Sequence, residues 1–245
     1  MMEGFAMRRV EVIETAAAIT SETVEGRHVI VMDVLRATST IVTALNNGAK
    51  RIIPVETVEE AVALKRRYAD SLLGGERGGV RQGGFDFGNS PLEYSRDFVL
   101  DKTIVLTTTN GTRALVGCQS AHAATIGCAG FLNGRAAVRR LMARTGDLAL
   151  VCAGTKNQFS LDDFLCAGML LQQIVAEEEV QMADLGWNAL FMYQAYGENL
   201  PAVLDRAKHY QVLKGLGFQR DLEYCLMKDQ LEIAPVFDGN EIRLD

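Results

Sequence analysis

Apolar and polar positions along this chain alternate between two periods. Residues 28–34 read HVIVMDV, a β-branched apolar run that predicts a buried strand, and ATSTIVTALNNGA after it begins with small polar caps and then turns apolar at helical spacing. The pattern is strand, polar turn, helix. It returns as TIVLTTT followed by NGTRALVG, and again as DLALVCAGT followed, after KNQF, by SLDDFLCAGMLLQQIV. A strand at 123–127 and a helix at 134–144 are expected between these units. RIIPV at 51–55 predicts a short strand, with Pro54 arguing for its end or for a sheet edge. Thr57 and Glu60 form a capping box that opens an amphipathic helix over 58–69.

The rest of the chain is less periodic. GGERGGVRQGGFDFGNSP at 74–91 reads as a long, ordered loop, too rich in glycine for a helix or strand. Helices are expected near 200–215 and 219–228, followed by a hairpin made of EIAPVF and EIRL around Asp238-Gly239. Alternating strand-helix units predict an α/β fold with a mainly parallel or mixed sheet and helices on its faces. The expected organisation is one domain over 1–245, with a small C-terminal subdomain around 187–245 as the variant.

Composition narrows the function classes. Acidic residues outnumber basic ones 31 to 25, a formal charge of −6, so neither nucleic acid nor an anionic membrane is an expected partner. Any anion must be captured locally. Five cysteines without a C-x-x-C pair predict reduced thiols and a cytoplasmic setting. Glutamates at 11, 14 and 22 interrupt the segment after Arg8 and Arg9, so no signal peptide is expected, and no apolar run approaches the roughly 20 residues that span a bilayer. A homodimer is the expectation from the frequency of that assembly alone.

Candidate chemistry sits in the polar turns, because ligands of α/β sheets gather beyond the carboxyl ends of the strands. The first turn supplies Asp33, Arg36, Thr38, Ser39 and Thr40, the second Thr107 to Thr112, and the third Thr155, Ser160, Asp162 and Asp163. Helix capping explains any one of these turns, but three together point to an anion such as phosphate, sulfonate or carboxylate. Arg36 suits a bidentate grip on such a group, or else an ion pair with Asp33. Glu76 and Arg77 offer a second charge pair where glycines let a ligand approach the backbone. A phosphate ester needs its phosphoryl oxygens neutralised and a water oriented, which a magnesium ion with arginine partners supplies using only one or two protein carboxylates. Asp33, Glu76, Asp162 and Asp163 are the available donors.

Other chemistries fail on inspection. No glycine precedes a lysine, which removes the P-loop, and six positions after Cys128 stands Gly134, with Arg135 one place too far for a cysteine phosphatase. Leu35 occupies the place of the second aspartate in phosphatases of the aspartyl-phosphate type, and DVLRATST lacks the glycines of a dinucleotide fingerprint. His28, His122 and His209 have no ligand spacing, so each reads as a surface or satisfied structural histidine. Trp187, Phe191 and Tyr193 read as packing residues.

DVLRATST at 33–40, GGERGG with GFDFGNSP at 74–91, TTTNGT at 107–112 and CAGT with SLDDFLCAG at 152–168 together resemble the 2-phosphosulfolactate phosphatase family, in order and in spacing. The resemblance extends from about residue 8 to the end and includes LGFQRDLEYC and IAPVFDG. It implies a three-layer α/β/α fold and magnesium-dependent hydrolysis of 2-phospho-3-sulfolactate to 3-sulfolactate and phosphate, a step that serves coenzyme M biosynthesis in methanogens. The small anionic phosphoester would carry three acidic groups. On this reading Asp33, Arg36, Glu76 and Asp163 are catalytic, with Mg2+ held by Asp33, Glu76 or Asp163. Substrate contacts fall to Thr38, Ser39, Arg77, Asn89, Ser90, Thr109, Asn110, Gly111 and Thr112. Asp33 acting as a covalent nucleophile is the mechanistic alternative. A phosphatase for another small phospho-acid, or a non-catalytic binder of a phosphorylated or sulfonated metabolite, is the functional one. Two departures stand out: DDF at 162–164 where relatives often carry ED, which retains the second carboxylate at Asp163, and AKHYQVL at 207–213 in place of a stretch with serine and glycine, which leaves any ligand contact there open.

Overall fold

Strand residues alternate between two buried faces, and that alternation builds the molecule. The structure, a computed structural model, describes residues 7–68 and 70–244. Its strands are β1 (Arg9–Ile13), β2 (His28–Met32), β3 (Arg51–Val55), β4 (Leu72–Arg77), β5 (Val80–Arg81), β6 (Thr103–Thr107), β7 (Thr125–Ala129), β8 (Leu148–Cys152), β9 (Gln181–Met182), β10 (Val236–Phe237) and β11 (Ile242–Arg243). The helices are α1 (Ser21–Val24), α2 (Ala37–Asn46), α3 (Val58–Arg67), α4 (Arg96–Val99), α5 (Gly111–Ser120), α6 (Gly134–Met142), α7 (Leu161–Glu177), α8 (Asp184–Tyr196), α9 (Leu200–Leu204), α10 (Lys208–Gly215) and α11 (Gln219–Cys225).

One mixed sheet takes the order β5-β4-β6-β3-β11-β10-β7-β2-β8-β1-β9. Val29, Val31, Ala149 and Val151 pack with Ile41 and Leu45 of α2 and Leu115 of α5 on one face. Ile30, Met32, Leu148 and Leu150 pack with Val138 of α6, Leu170 of α7 and Leu190 of α8 on the other. This is the three-layer α/β/α fold. Burying both faces explains why β2 and β8 read as continuous apolar runs, and each fully buried leucine or valine contributes roughly 1.5–3 kcal/mol.

The glycine-rich stretch is partly strand rather than loop. Gly74 and Gly75 lie in β4 because a Cβ at either position would collide, with the Tyr94 hydroxyl and with the Thr107 backbone respectively. Their glycines serve close approach, and composition alone conceals that. Pro54 is also not at an edge: β3 lies between β6 and β11, but β11 pairs with it only at Ile52. The strand expected at 123–127 runs two residues later, and the helix expected over 200–215 is broken at 205–207 into α9 and α10. α3 has both halves of its capping box, at Thr57 and Glu60; residue 69, expected at its end, is outside the described residues. Tyr193 packs inward, whereas Trp187 and Phe191 lie exposed against each other on α8.

The C-terminal hairpin fills the middle of the sheet. β10 and β11 are antiparallel to each other, and they reach only Ile126 and Gly127 of β7 and Ile52 of β3. The carboxyl ends of the parallel strands on either side are therefore not bridged by it. No helix of the described residues is long and apolar enough to cross a membrane.

Candidate active site

Turns leaving β2, β6 and β8 converge at the carboxyl ends of their strands, where they meet the β4–β5 turn and the start of α10 around a cleft of about 390 Å³. Asp33, Arg36, Glu76, Asn89, Thr109, Asn110, Thr155, Ser160 and Asp162 line it, with Lys156, Lys208 and His209. Leu35, Phe159, Leu161, Val212 and Leu213 give one wall an apolar surface.

Most of the polar side chains bind one turn to another. Glu76 is buried and accepts the Gly79 N–H at 2.6 Å, the Thr109 N–H at 3.0 Å and the Thr109 hydroxyl at 2.8 Å, so it fixes the β6–α5 turn against the β4–β5 turn. Asn110 Oδ1 accepts the Lys156 N–H at 3.0 Å and ties that turn to the one after β8. The Thr40 hydroxyl donates to the Asn89 carbonyl at 3.0 Å. Asn89 lines the cleft, and its Oδ1 is buried with no partner among the described residues. An orphaned buried acceptor costs about 1–3 kcal/mol, which a ligand or its bound water would recover.

Arg36 pairs with Asp221 rather than with Asp33. Its guanidinium reaches the Asp221 carboxylate at 2.5 Å, donates to the Gly79 carbonyl at 3.0 Å and stacks 3.9 Å from the Phe218 ring. The Ser90 hydroxyl donates to the other Asp221 oxygen at 2.8 Å, so Ser90 supports this pair and is not among the cleft-lining residues. Arg77 leaves the cleft altogether: it donates to the carbonyls of Glu76 and Glu56 and to the Thr107 hydroxyl. It does not form the charge pair with Glu76 that adjacency suggested.

The two adjacent aspartates of α7 divide their roles. Asp163 accepts the Val34 N–H at 2.8 Å on one oxygen and the Gly154 N–H at 3.0 Å on the other, stapling the turn after β2 to the turn after β8 from beneath the cleft. Burial pushes its pKa well above the ordinary carboxylate range, and the charges of Asp162 and Asp33 add to the rise. Asp162 faces the cleft, accepting the Ser160 hydroxyl at 2.6 Å on one oxygen. Both Asp163 oxygens are thus engaged by backbone, whereas only one oxygen of Asp162 carries a hydrogen bond from the described residues.

Asp33 lies at the centre. One oxygen accepts the Ala37 N–H at 3.2 Å; the other accepts no hydrogen bond from the described residues and lies against Gly111. Burial raises its pKa to about 6; the Ala37 N–H and His209 oppose the rise, and the charges of Asp162 and Glu76 reinforce it. Thr38 accepts the Asp33 N–H and Ser39 donates to the Val34 carbonyl, so these hydroxyls shape the turn and do not reach the cleft. The Thr112 N–H and hydroxyl meet Thr108 in the same internal way. Gly111 lies next to Asp33, allowing α5 to close on α2.

His209, Asp221, Lys156 and Lys208 carry no site role in the sequence, and Asp162 stands there only among the available donors. Asp221 belongs to LGFQRDLEYC, but nothing in its spacing announces a partner 185 positions away. His209 has no ligand spacing in the sequence, yet it lines the cleft and its Nε2 meets the Leu35 carbonyl at 2.8 Å.

No group of three or more His, Cys, Asp or Glu among the described residues has the arrangement of an all-protein metal cage. Magnesium does not require one. Asp33 and Asp162 present carboxylates to one cleft, each with an oxygen that accepts no hydrogen bond from the described residues, and this donor set fits an ion that completes its shell with water and substrate oxygens.

A family model described as 2-phosphosulpholactate phosphatase matches residues 13–240. A probable 2-phosphosulfolactate phosphatase of Clostridium acetobutylicum is 41% identical over 236 residues, covering 96% of this chain and 99% of the relative. Similar proteins bearing the same name occur in Clostridium novyi, 40% identical over 94% of this chain and 97% of the relative, and Clostridium perfringens, 41% identical over 96% of each.

Proposed function

The chain belongs to the 2-phosphosulfolactate phosphatase family, and from that premise we propose that it hydrolyses 2-phospho-3-sulfolactate to 3-sulfolactate and inorganic phosphate with the help of Mg2+. The observation that carries the reading is the convergence of Asp33, Arg36, Glu76, Asn89, Thr109, Asn110 and Asp162 on one cleft from turns distant in sequence.

Asp33 and Asp162 would hold the ion. Bound there, magnesium would neutralise phosphoryl oxygens and favour departure of the ester oxygen. Water adds to phosphorus, the bond from phosphorus to the ester oxygen breaks, and that oxygen takes a proton to become the 2-hydroxyl of sulfolactate. Arg36 keeps N–H groups beyond those used on Asp221 and Gly79, and it offers them to an anionic oxygen of the substrate. Asn89 lines the same cleft and would place its amide beside the attacking water or the emerging hydroxyl. Glu76 and Asn110 keep the turns in register, and the apolar wall excludes water from one side. A cytoplasmic setting accompanies this reading, with all five cysteines free and buried.

Phosphate release from 2-phospho-3-sulfolactate, measured with magnesium and with excess EDTA, tests the proposal, with 2-phospholactate and 3-phosphoglycerate as comparison substrates. Magnesium-dependent release that prefers the sulfonate supports it. Preference for another phospho-acid moves the substrate, and ligand-induced stabilisation without turnover would make the protein a binder. A substrate made chiral at phosphorus with oxygen isotopes separates direct attack from a phosphoryl-Asp33 intermediate: one displacement inverts the phosphorus, and two displacements through Asp33 retain its configuration.

A further inference from the structure

Of the two arginines the sequence suggests, only Arg36 lines the cleft. Arg36 is already answered by Asp221, and Arg77 is spent on Glu76, Glu56 and Thr107 outside the lining. Lys156 and Lys208 remain. Both are exposed, both line the cleft, and neither side chain makes an ion pair or hydrogen bond with a described residue. They come from separate segments, the turn after β8 and the first residue of α10.

Each lysine stands where local physics disfavours it. Lys156 has a left-handed backbone with φ of 52°, next to Asn157 at 61°, and its N–H is pinned by Asn110. Such a conformation is uncommon for a residue with a Cβ and is retained where surrounding structure requires it. Lys208 begins a helix, where the macrodipole opposes a positive side chain. An anion in the cleft would relieve both charges. Asn89, whose buried Oδ1 has no partner among the described residues, lines the same cavity.

We propose that Lys156 and Lys208 form a two-sided clamp on the non-reacting anionic groups of the substrate, selecting phosphoesters of acids that carry a second acidic group. The proposal rests on the hydrolase reading for its substrate, and it assigns the carboxylate and sulfonate to these lysines while the phosphate lies at the aspartates. The clamp is a binding device with no proton to transfer, so its loss should appear in KM and leave kcat nearly unchanged.

Lys156→Met and Lys208→Met, singly and together in the full chain, are compared with the parent under saturating magnesium. For 2-phospho-3-sulfolactate each is expected to raise KM roughly tenfold, as for a partly screened charge-assisted contact. For 2-phospholactate, which lacks the sulfonate, the rise should be smaller for at least one of the two lysines. Binding of 3-sulfolactate, followed by thermal shift with lactate as control, should weaken in parallel. Hydrolysis with unchanged KM in the double variant would overturn the clamp and leave the hydrolase standing. A parent that binds sulfolactate through the lysines yet releases no phosphate would do the reverse. Loss of kcat alone, or equal KM changes for both substrates in every variant, would also overturn it.

Discussion

Arg36 and Asp221, separated by 185 positions, meet at 2.5 Å in a buried ion pair that fastens α11 to the turn after β2. The Ser90 hydroxyl and the Phe218 ring complete its surroundings. Removing one member leaves the other charge buried and unpaired, so Asp221→Ala should cost roughly 3–5 kcal/mol of stability. Ser90→Ala, which spares both charges, should cost only about 1 kcal/mol. Urea unfolding checks both, and an Asp221→Ala protein as stable as the parent would show that the pair is not a structural tie.

Asp162 and Asp163 should separate stability from activity. Asp163→Asn keeps one acceptor for Val34 or Gly154 and loses the other, for a stability loss of about 1–3 kcal/mol. Asp162→Asn, whose partner is the adjacent Ser160 hydroxyl, should unfold at nearly the parental urea concentration and lower phosphate release on the order of a hundredfold. If Asp163→Asn abolished turnover while retaining parental stability, the assignment of Asp162 to the cleft would be wrong.

The fold was legible where period sufficed. HVIVM alternates into two cores, and the capping box at Thr57 and Glu60 forms as read. The strand hidden in the glycine stretch was not, because Gly74 and Gly75 answer to Tyr94 and Thr107, neighbours that only the folded sheet supplies. The cleft was legible as a set of turns, and Asp33, Arg36, Glu76, Asn89, Thr109 and Asn110 do line it. The division between Asp162 and Asp163 was not. α7 is buried on nearly every side, so its apolar pattern gives no phase to say which aspartate meets the cleft. His209 and Asp221 arrive on helices whose placement against the turn after β2 leaves no trace in local spacing.

Asp33 should make the magnesium-free protein less stable as pH rises. Its folded pKa of about 6 stands above the ordinary 3.8, so between these values the folded state holds the proton more firmly. The stabilising contribution is complete below about pH 4 and is lost as pH climbs through 6, an effect of about 3 kcal/mol for one buried carboxyl. Asp33→Asn removes that dependence and keeps an oxygen for the Ala37 N–H. In EDTA the variant should therefore exceed the parent at pH 7.5, with a margin that shrinks towards pH 4.5. Magnesium should then stabilise the parent and leave the variant nearly unmoved. A variant weaker than the parent at every pH would show that burial is not what raises the Asp33 pKa.

Gly111→Ala tests how closely α5 must approach the turn that carries Asp33. A Cβ at this position would come within 2.7 Å of the Ala37 Cβ and 2.9 Å of Asp33 Oδ2, closer than folded proteins tolerate. Ala37 has no rotamer with which to retreat, so relief must come from moving α5 away from α2 or from turning the Asp33 carboxylate. The first response costs packing, about 1–3 kcal/mol for an overfilled site, and the second displaces the carboxylate proposed to hold the ion. Both lower phosphate release, and the affinity for magnesium should fall with it. Gly215→Ala serves as the control, since a Cβ there meets nothing within 4 Å and its glycine ends α10 without a left-handed backbone. That substitution should be neutral or stabilise by roughly 0.4–1 kcal/mol through the unfolded chain. Parental magnesium affinity and turnover in Gly111→Ala would mean that the contact with Asp33 is not what the reaction requires of this glycine.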